Sequence, residues 1–423
     1  MYLWCCTRKV HTGTVRDYST RHTLDKPGSV SPLWTPLFEY PAQVSYPFPP
    51  PLPRPVRKVG APLAVIIILG TVAGLIVTLL TAVNPAGTVI GFILATTATT
   101  LVVLSYLWLD RWEPEPPRLL VFAFVWGASV AVVLSVGLEV VFDAAVNTGG
   151  SESSPFTIAV GAPLIEEAAK GAFLLLMMTG VRRAELNSLT DCLVYAGMTA
   201  IGFAWLENIF YIADGGSLGD SLLTAGLRLV MGPFAHPLFT TFTAIGVHFA
   251  LQQRNWFAKA GCVALGYLAA VVMHGLWNGS TLIGVGAYFG VYVVWMMPVF
   301  ALAVTLAVRS RRREQRVVAE KLPGMIAAGL VTPAEAGWLG SIRTRKEVVA
   351  AATRFGGRPA GRGVKKFAIQ VVELAFVRDR IDRGFGDARV FALQQLEVDG
   401  VVAARAAAGP ALHWLNRYRP PGG

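Results

Sequence analysis

Charge is scarce in this chain. Only 15% of its 423 residues are Asp, Glu, Lys or Arg, against 54% hydrophobic residues and a mean hydropathy of +0.52. That balance excludes an ordinary water-soluble domain and points to a chain that lives in a bilayer. Cysteine is scarce too. Cys5, Cys6, Cys192 and Cys262 form no CxxC pair, so neither a disulfide framework nor a cysteine metal cluster organises the fold. No HExxH occurs and no GxSxG elbow is read before a helix, which sets aside the soluble zinc-peptidase and serine-hydrolase patterns. No cleavable leader is read at the start. The first apolar run begins at Pro62 and is expected to stay as an anchor.

What is present is a series of bilayer-length apolar stretches. Eight are counted, at about 62–83, 88–109, 119–142, 156–180, 190–213, 226–250, 260–282 and 285–308, each near the roughly 20 residues a membrane helix needs. The expected fold is therefore all-α, a polytopic membrane bundle of about eight transmembrane helices with a small cytoplasmic helical tail. Three regions follow. Residues 1–60 are a proline-rich disordered tail, 61–308 the membrane domain, and 309–423 a basic helical region.

The net charge of +11 sits in the tails. Residues 61–308 hold 8 Lys/Arg and 13 Asp/Glu, the first 60 hold 8 and 3, and the last 115 hold 21 and 10. Basic tails beside a hydrophobic bundle suit the anionic inner leaflet, so membrane lipid is an expected partner and nucleic acid is not. The loops DRWEPEPPR, VRRAELNS and QQRNWFAK carry basic residues, whereas NPAG, NTGGSESS and ADGGSLGD carry none. Positive charge stays inside, so both termini are expected in the cytoplasm of a multi-pass protein of the cell membrane. Arg228, near the outer end of the sixth span, fits this pattern poorly.

The fourth span is apolar over a membrane length, yet it carries Glu166, Glu167 and Lys170 near its middle. A charge at mid-bilayer costs about 2.5–3.5 kcal/mol on insertion scales, so these groups must face protein or water. Glu166 and Lys170 share a helix face at i, i+4, and Glu167 points about 100° away. Other spans add Glu207, His236, His274 and Asn278. At 1.5 Å per residue, Glu166, Glu207, His236 and His274 fall roughly 7–15 Å below the outer surface. Four helices thus place their costly polar groups in one layer, which marks a shared site. Asp191 completes a capping box with Ser188, His248 is read as interfacial, and Glu139 and Asp143 lie at an exposed helix end.

Two imidazoles and a carboxylate suit a zinc ion with one open position, and His236, His274 and Glu167 are the candidate ligands. The same groups also work without metal, one glutamate activating water while His and Asn donate to the oxyanion. A transporter with a Glu/His relay is the reading outside hydrolysis, although no pair of matching halves is found.

EEAAK at 166–170, FAWLENIFY at 203–211, PFAHPLFT around His236 and HGLWN at 274–278 resemble the motifs of PrsW-type intramembrane proteases, distant relatives of the CAAX prenyl endopeptidases and CPBP proteins. DRWEPEP at 110–116 resembles that family's juxtamembrane signature. The resemblance covers about residues 62–308. It implies a metalloprotease-type enzyme cleaving single-pass or otherwise membrane-anchored proteins, such as anti-sigma factors, with Glu166, Glu167, His236 and His274 as catalytic candidates and Glu207 beside them. In the prenyl endopeptidases a basic residue follows the first glutamate by five positions. Here Lys170 follows by four, so the role of each glutamate does not transfer directly.

Overall fold

A computed structural model describes residues 61–147, 153–386 and 388–417. The proline-rich tail expected over residues 1–60 lies outside the described residues. Among those described there is no strand, and the architecture is an all-α polytopic membrane bundle.

Among the described residues, seven helices are long and apolar enough to cross a bilayer. They are α1 (Leu63–Val83), α2 (Pro85–Leu109), α3 (Pro117–Val146), α5 (Leu189–Ala213), the pair α6 (218–231) and α7 (Ala235–Leu251) as one span, α8 (Trp256–Ile283) and α9 (Val285–Ala327). The eighth expected span, α4 (157–177), falls short on composition because Glu166, Glu167 and Lys170 interrupt it. Its charged face is turned into the bundle. α5 is the central helix, buried along nearly its whole length, whereas α1 and α9 lie at the periphery.

Helix ends follow local chemistry. Asn84 accepts from the Gly87 amide to start α2. Ser188 and Asp191 form the expected capping box on α5. Ser217 accepts from the Asp220 amide to start α6. Gly215-Gly216-Ser217-Leu218-Gly219 does carry GxSxG spacing, which corrects the reading that none leads into a helix. It joins two helices and its serine is a cap, so it lacks the strand that a nucleophile elbow needs.

Two interruptions shape the site. Residues 232–234 break the sixth span just before Ala235, so α7 begins inside the bundle and presents His236 in its first turn. A wide π-type turn at Thr157–Gly161 opens α4, and Asn278 Nδ2 donates to the Ile158 carbonyl at 3.2 Å. α7 and α8 cross where Gly246 meets Gly266. A methyl on Gly246 would stand 2.5 Å from the Cys262 carbonyl, and one on Gly266 2.6 Å from that of Phe242, so only glycine allows this approach.

Beyond the membrane helices lie α10 (Pro333–Leu339), α11 (Ile342–Arg380, kinked at Gly356 and Gly357) and α12 (Ala388–Arg417). Arg405 makes a two-pronged pair with Glu335 at 2.8 and 3.0 Å and also donates to the Leu330 carbonyl. The loop holding Glu113 and Glu115 meets the segment after Arg182 and Arg183 through Asn187, which donates to Glu113 at 3.4 Å. Glu115 is buried and accepts from the Tyr195 hydroxyl at 2.6 Å, and burial beside Asp191 holds its carboxyl well above the ordinary value.

Candidate active site

α4 supplies Glu166, Glu167 and Lys170, α5 supplies Glu207, α7 supplies His236 and Thr240, and α8 supplies His274. All of these except Glu207 are buried, and Glu167 and Lys170 have 0% exposure. The layer expected from helix rise is thus a single cluster.

Lys170 is its hub. Its Nζ lies 2.7 Å from Glu167 Oε1, 3.3 Å from Glu166 Oε2 and 3.1 Å from His236 Nδ1, and stands 4.3 Å above the Phe203 ring. The i, i+4 face shared with Glu166 therefore does not exclude Glu167, which is the nearer partner of Lys170. Carbon–carbon bonds rotate, so an ammonium on a four-carbon stem reaches carboxylates at both i−4 and i−3.

Each histidine is held on one side by a carboxylate. His236 Nε2 is 2.7 Å from Glu207 Oε2, and His274 Nδ1 is 3.1 Å from Glu167 Oε1. A carboxylate accepts hydrogen bonds, so it fixes these nitrogens as N–H donors and leaves His236 Nδ1 and His274 Nε2 with lone pairs. Those two lone pairs face Glu166 Oε2, each at 3.9 Å, and ligand atoms of Glu166, His236 and His274 all lie within 4.8 Å of one another. The grouping differs from the set His236, His274 and Glu167. Glu167 is fully engaged by Lys170, His274 Nδ1 and the Thr240 hydroxyl, which donates to Oε2 at 3.0 Å. Phe239 stacks on His274, with ring centroids 4.6 Å apart.

The chemistry of this donor set fits a transition metal. One carboxylate and two imidazoles converge, and each imidazole is backed by a carboxylate on its far nitrogen, the outer support that metal-ligating histidines require. Lys170 would then have to lean on Glu167, already its nearest partner.

Glu207 extends the network outward. Arg228 Nη2 lies 2.6 Å from its Oε2, Arg228 Nε donates to Asn208 Oδ1 at 2.7 Å, and the guanidinium stacks over Tyr211. The basic residue that fitted poorly by loop charge is thus the counter-ion of a half-buried acid. A cavity of about 420 Å³ is lined by Arg228, Glu207, His236, His274, Trp277 and Asn278 among others. It reaches both histidines, while Glu166 and Glu167 lie behind them. Asn278 lines this cavity, but its amide holds the π-turn carbonyl of Ile158. Asp143 accepts from Ser154 and Thr157 at the start of α4, so it organises a helix entrance.

Thr240, Phe239 and Phe203 were not singled out from sequence. Thr240 carried a signal, being one turn after His236 on the same face; the two aromatics carried none, in a chain with 22 phenylalanines.

Residues 115–303 match the family model described as PrsW family intramembrane metalloprotease. Two similar relatives are both named Protease PrsW. The one from Oceanobacillus iheyensis is 28% identical over 183 residues, 43% of this chain and 78% of the relative. The one from Geobacillus kaustophilus is 26% identical over 204 residues, 47% of this chain and 83% of the relative. No solved structure matches. The match begins at Glu115 and ends inside α9, so it contains every residue of the cluster just described, and through that region the chain is similar to the PrsW family of intramembrane proteases.

Proposed function

We propose that this protein hydrolyses peptide bonds of membrane-anchored proteins, with Glu166, His236 and His274 disposed around one reacting water and Glu167, Glu207 and Lys170 positioning them. The observation that carries the reading is the facing of three electron-pair donors in a buried pocket. Such an arrangement is costly unless a cation or a polarised water sits among them. Glu166, with Lys170 Nζ at 3.3 Å, is the less engaged of the two α4 glutamates. It takes the proton from water and returns it to the leaving amine, while Glu167 and Glu207 keep both imidazoles in one tautomer. A zinc ion held by Glu166, His236 and His274 would instead make Glu166 a ligand, supply Lewis acidity at the scissile carbonyl and acidify the water in place of the glutamate base.

A membrane substrate is favoured by a chain of hollows. An apolar one of about 510 Å³ between α2, α7 and α9 shares Phe234, Leu238 and Phe300 with a second of about 210 Å³. That second hollow shares Gly232, Ala235 and Trp277 with the cavity at the histidines. An extended segment leaving the bilayer beside the broken span would thereby reach the site without crossing bulk water. Anti-sigma factors and similar single-pass regulators are the substrate class that the family resemblance brings to this reading.

One observation favours a metal-free variant. Lys170 Nζ already contacts His236 Nδ1 and Glu166 Oε2, so the ammonium itself supplies a positive charge at two of the three donors. Metal analysis separates the two. Active protein with zinc assistance carries about one metal per chain and His236→Ala loses it, because one of three protein ligands is gone. Full activity below about 0.1 metal per chain, a tenth of one site, removes zinc and leaves the ammonium reading.

A further inference from the structure

A second cavity, of about 310 Å³, lies at the opposite end of the bundle from the histidines, where the loops of the membrane domain meet the C-terminal helices. Its wall draws Arg183 from the turn before α5, Arg254 and Lys259 from the start of α8, and Arg380 and Arg383 from the end of α11. Among the described residues, five cations from three separate parts of the chain line one hollow, with no acidic side chain in its wall. Four of them, all but Arg254, are half-buried, so solvent screens their mutual repulsion only in part. Arg383 keeps a bond to Asp379 at 2.8 Å, and Arg254 donates to the Gly384 carbonyl at 3.2 Å. These contacts brace two guanidinium planes, and each arginine carries five donors in a fixed fork. Gly384 takes φ +83°, which turns the chain after α11 back across the cavity.

We propose that this cavity binds a phosphate group and that the bound anion ties the C-terminal helices to the membrane domain. Guanidinium forks and an ammonium are the donors that phosphate oxygens select, and a basic pocket beside membrane helices on the side assigned to the cytoplasm suits an anionic headgroup. Trp256 and Phe257, at the start of α8 beside Lys259, are 72% and 81% exposed. Aromatic rings at a helix start mark headgroup depth, so a phospholipid can present its phosphodiester at this height. A free phosphate compound from solution offers the same group. The inference is independent of the proteolytic reading.

The test uses the full chain in phosphatidylcholine nanodiscs, with thermal unfolding as the readout. One arm adds phosphatidylglycerol to the discs, and the other adds inorganic phosphate or pyrophosphate in solution at constant ionic strength. Either arm should raise the unfolding temperature. A shift from phosphatidylglycerol alone identifies a headgroup site, and a shift from the soluble anions identifies a free-phosphate site. The double variant Arg183→Gln/Lys259→Gln should weaken the apparent affinity about 30-fold, from the loss of two charges near the ligand. Arg309→Gln/Arg316→Gln, which removes two exposed charges outside the cavity, should leave it unchanged. If the double variant fails to fold, Lys259→Gln alone is read the same way by ³¹P NMR titration. No shift in either arm, or equal weakening by the control pair, overturns the proposal.

Discussion

Arg228 is linked to His236 through one intervening carboxylate. Its guanidinium bridges Glu207 and Asn208, and Glu207 in turn fixes His236 Nε2. Removing the cation leaves Glu207 beside an imidazole with no opposing charge, so the histidine's tautomer and orientation loosen. Arg228→Gln should lower kcat about 10- to 100-fold with little change in KM, and Arg228→Lys should restore part of it by returning the charge without the fork. A change confined to KM would instead assign Arg228 to substrate binding. The polar residues of this network were legible because charge inside an apolar run has few explanations. Their division of labour was not. Glu166 and Glu167 are adjacent and chemically identical, and only the packing of α7 and α8 against α4 decides which one Thr240 and His274 Nδ1 occupy.

At the scale of elements, the two histidine helices owe their closeness to glycine. Gly246→Val would push the α7–α8 crossing apart and separate His236 from His274, whose rings are 5.2 Å apart. The expected result is a fall in folded yield together with loss of activity, while Gly261→Val, at a position with open space, should be tolerated. A fully active Gly246→Val protein would contradict the role given to this crossing. The Glu115–Tyr195 bond makes a pH prediction. The folded-state pKa of Glu115 is raised, so the native state holds its proton more tightly, and stability falls as pH rises above the unfolded value. Glu115→Gln keeps a hydrogen-bonding amide and removes that ionisation. Its stability relative to wild type should therefore improve from pH 5 to pH 8, and a parallel dependence in both proteins would locate the titration elsewhere. Spans α1, α2, α5 and α8 were readable as long apolar runs. The break before Ala235 was less so, because the run from 226 to 250 is continuous in hydropathy and only Gly232 and Pro233 mark the interruption.

For the whole molecule, the charge of the loops makes a topology that can be tested apart from any chemistry. Reporters fused after Val83, Asn147 and Gly215 should lie outside, and those after Arg183, Arg254 and Arg316 in the cytoplasm. An outside signal after Arg183 would place α4 in the opposite direction and remove the common depth of the four helices. The topology predicted from loop charge would set the basic cavity on the anionic leaflet and the histidines near the other face.

The central claim is that Glu166 is the reacting carboxylate and that Glu167 positions His274. It is tested most directly by cleavage of a co-expressed single-pass substrate by Glu166→Gln and Glu167→Asn proteins that insert at wild-type levels. Gln keeps the size and hydrogen bonding of Glu166 but cannot take a proton, so the rate should fall at least about 100-fold. Asn at 167 shortens and neutralises the support of His274, for which a smaller loss, about 10-fold, is expected, with the remaining activity still dependent on Glu166. Cleavage by Glu166→Gln within about threefold of wild type, alongside an inactive Glu167→Asn protein, would contradict the assignment and give the reacting role to Glu167.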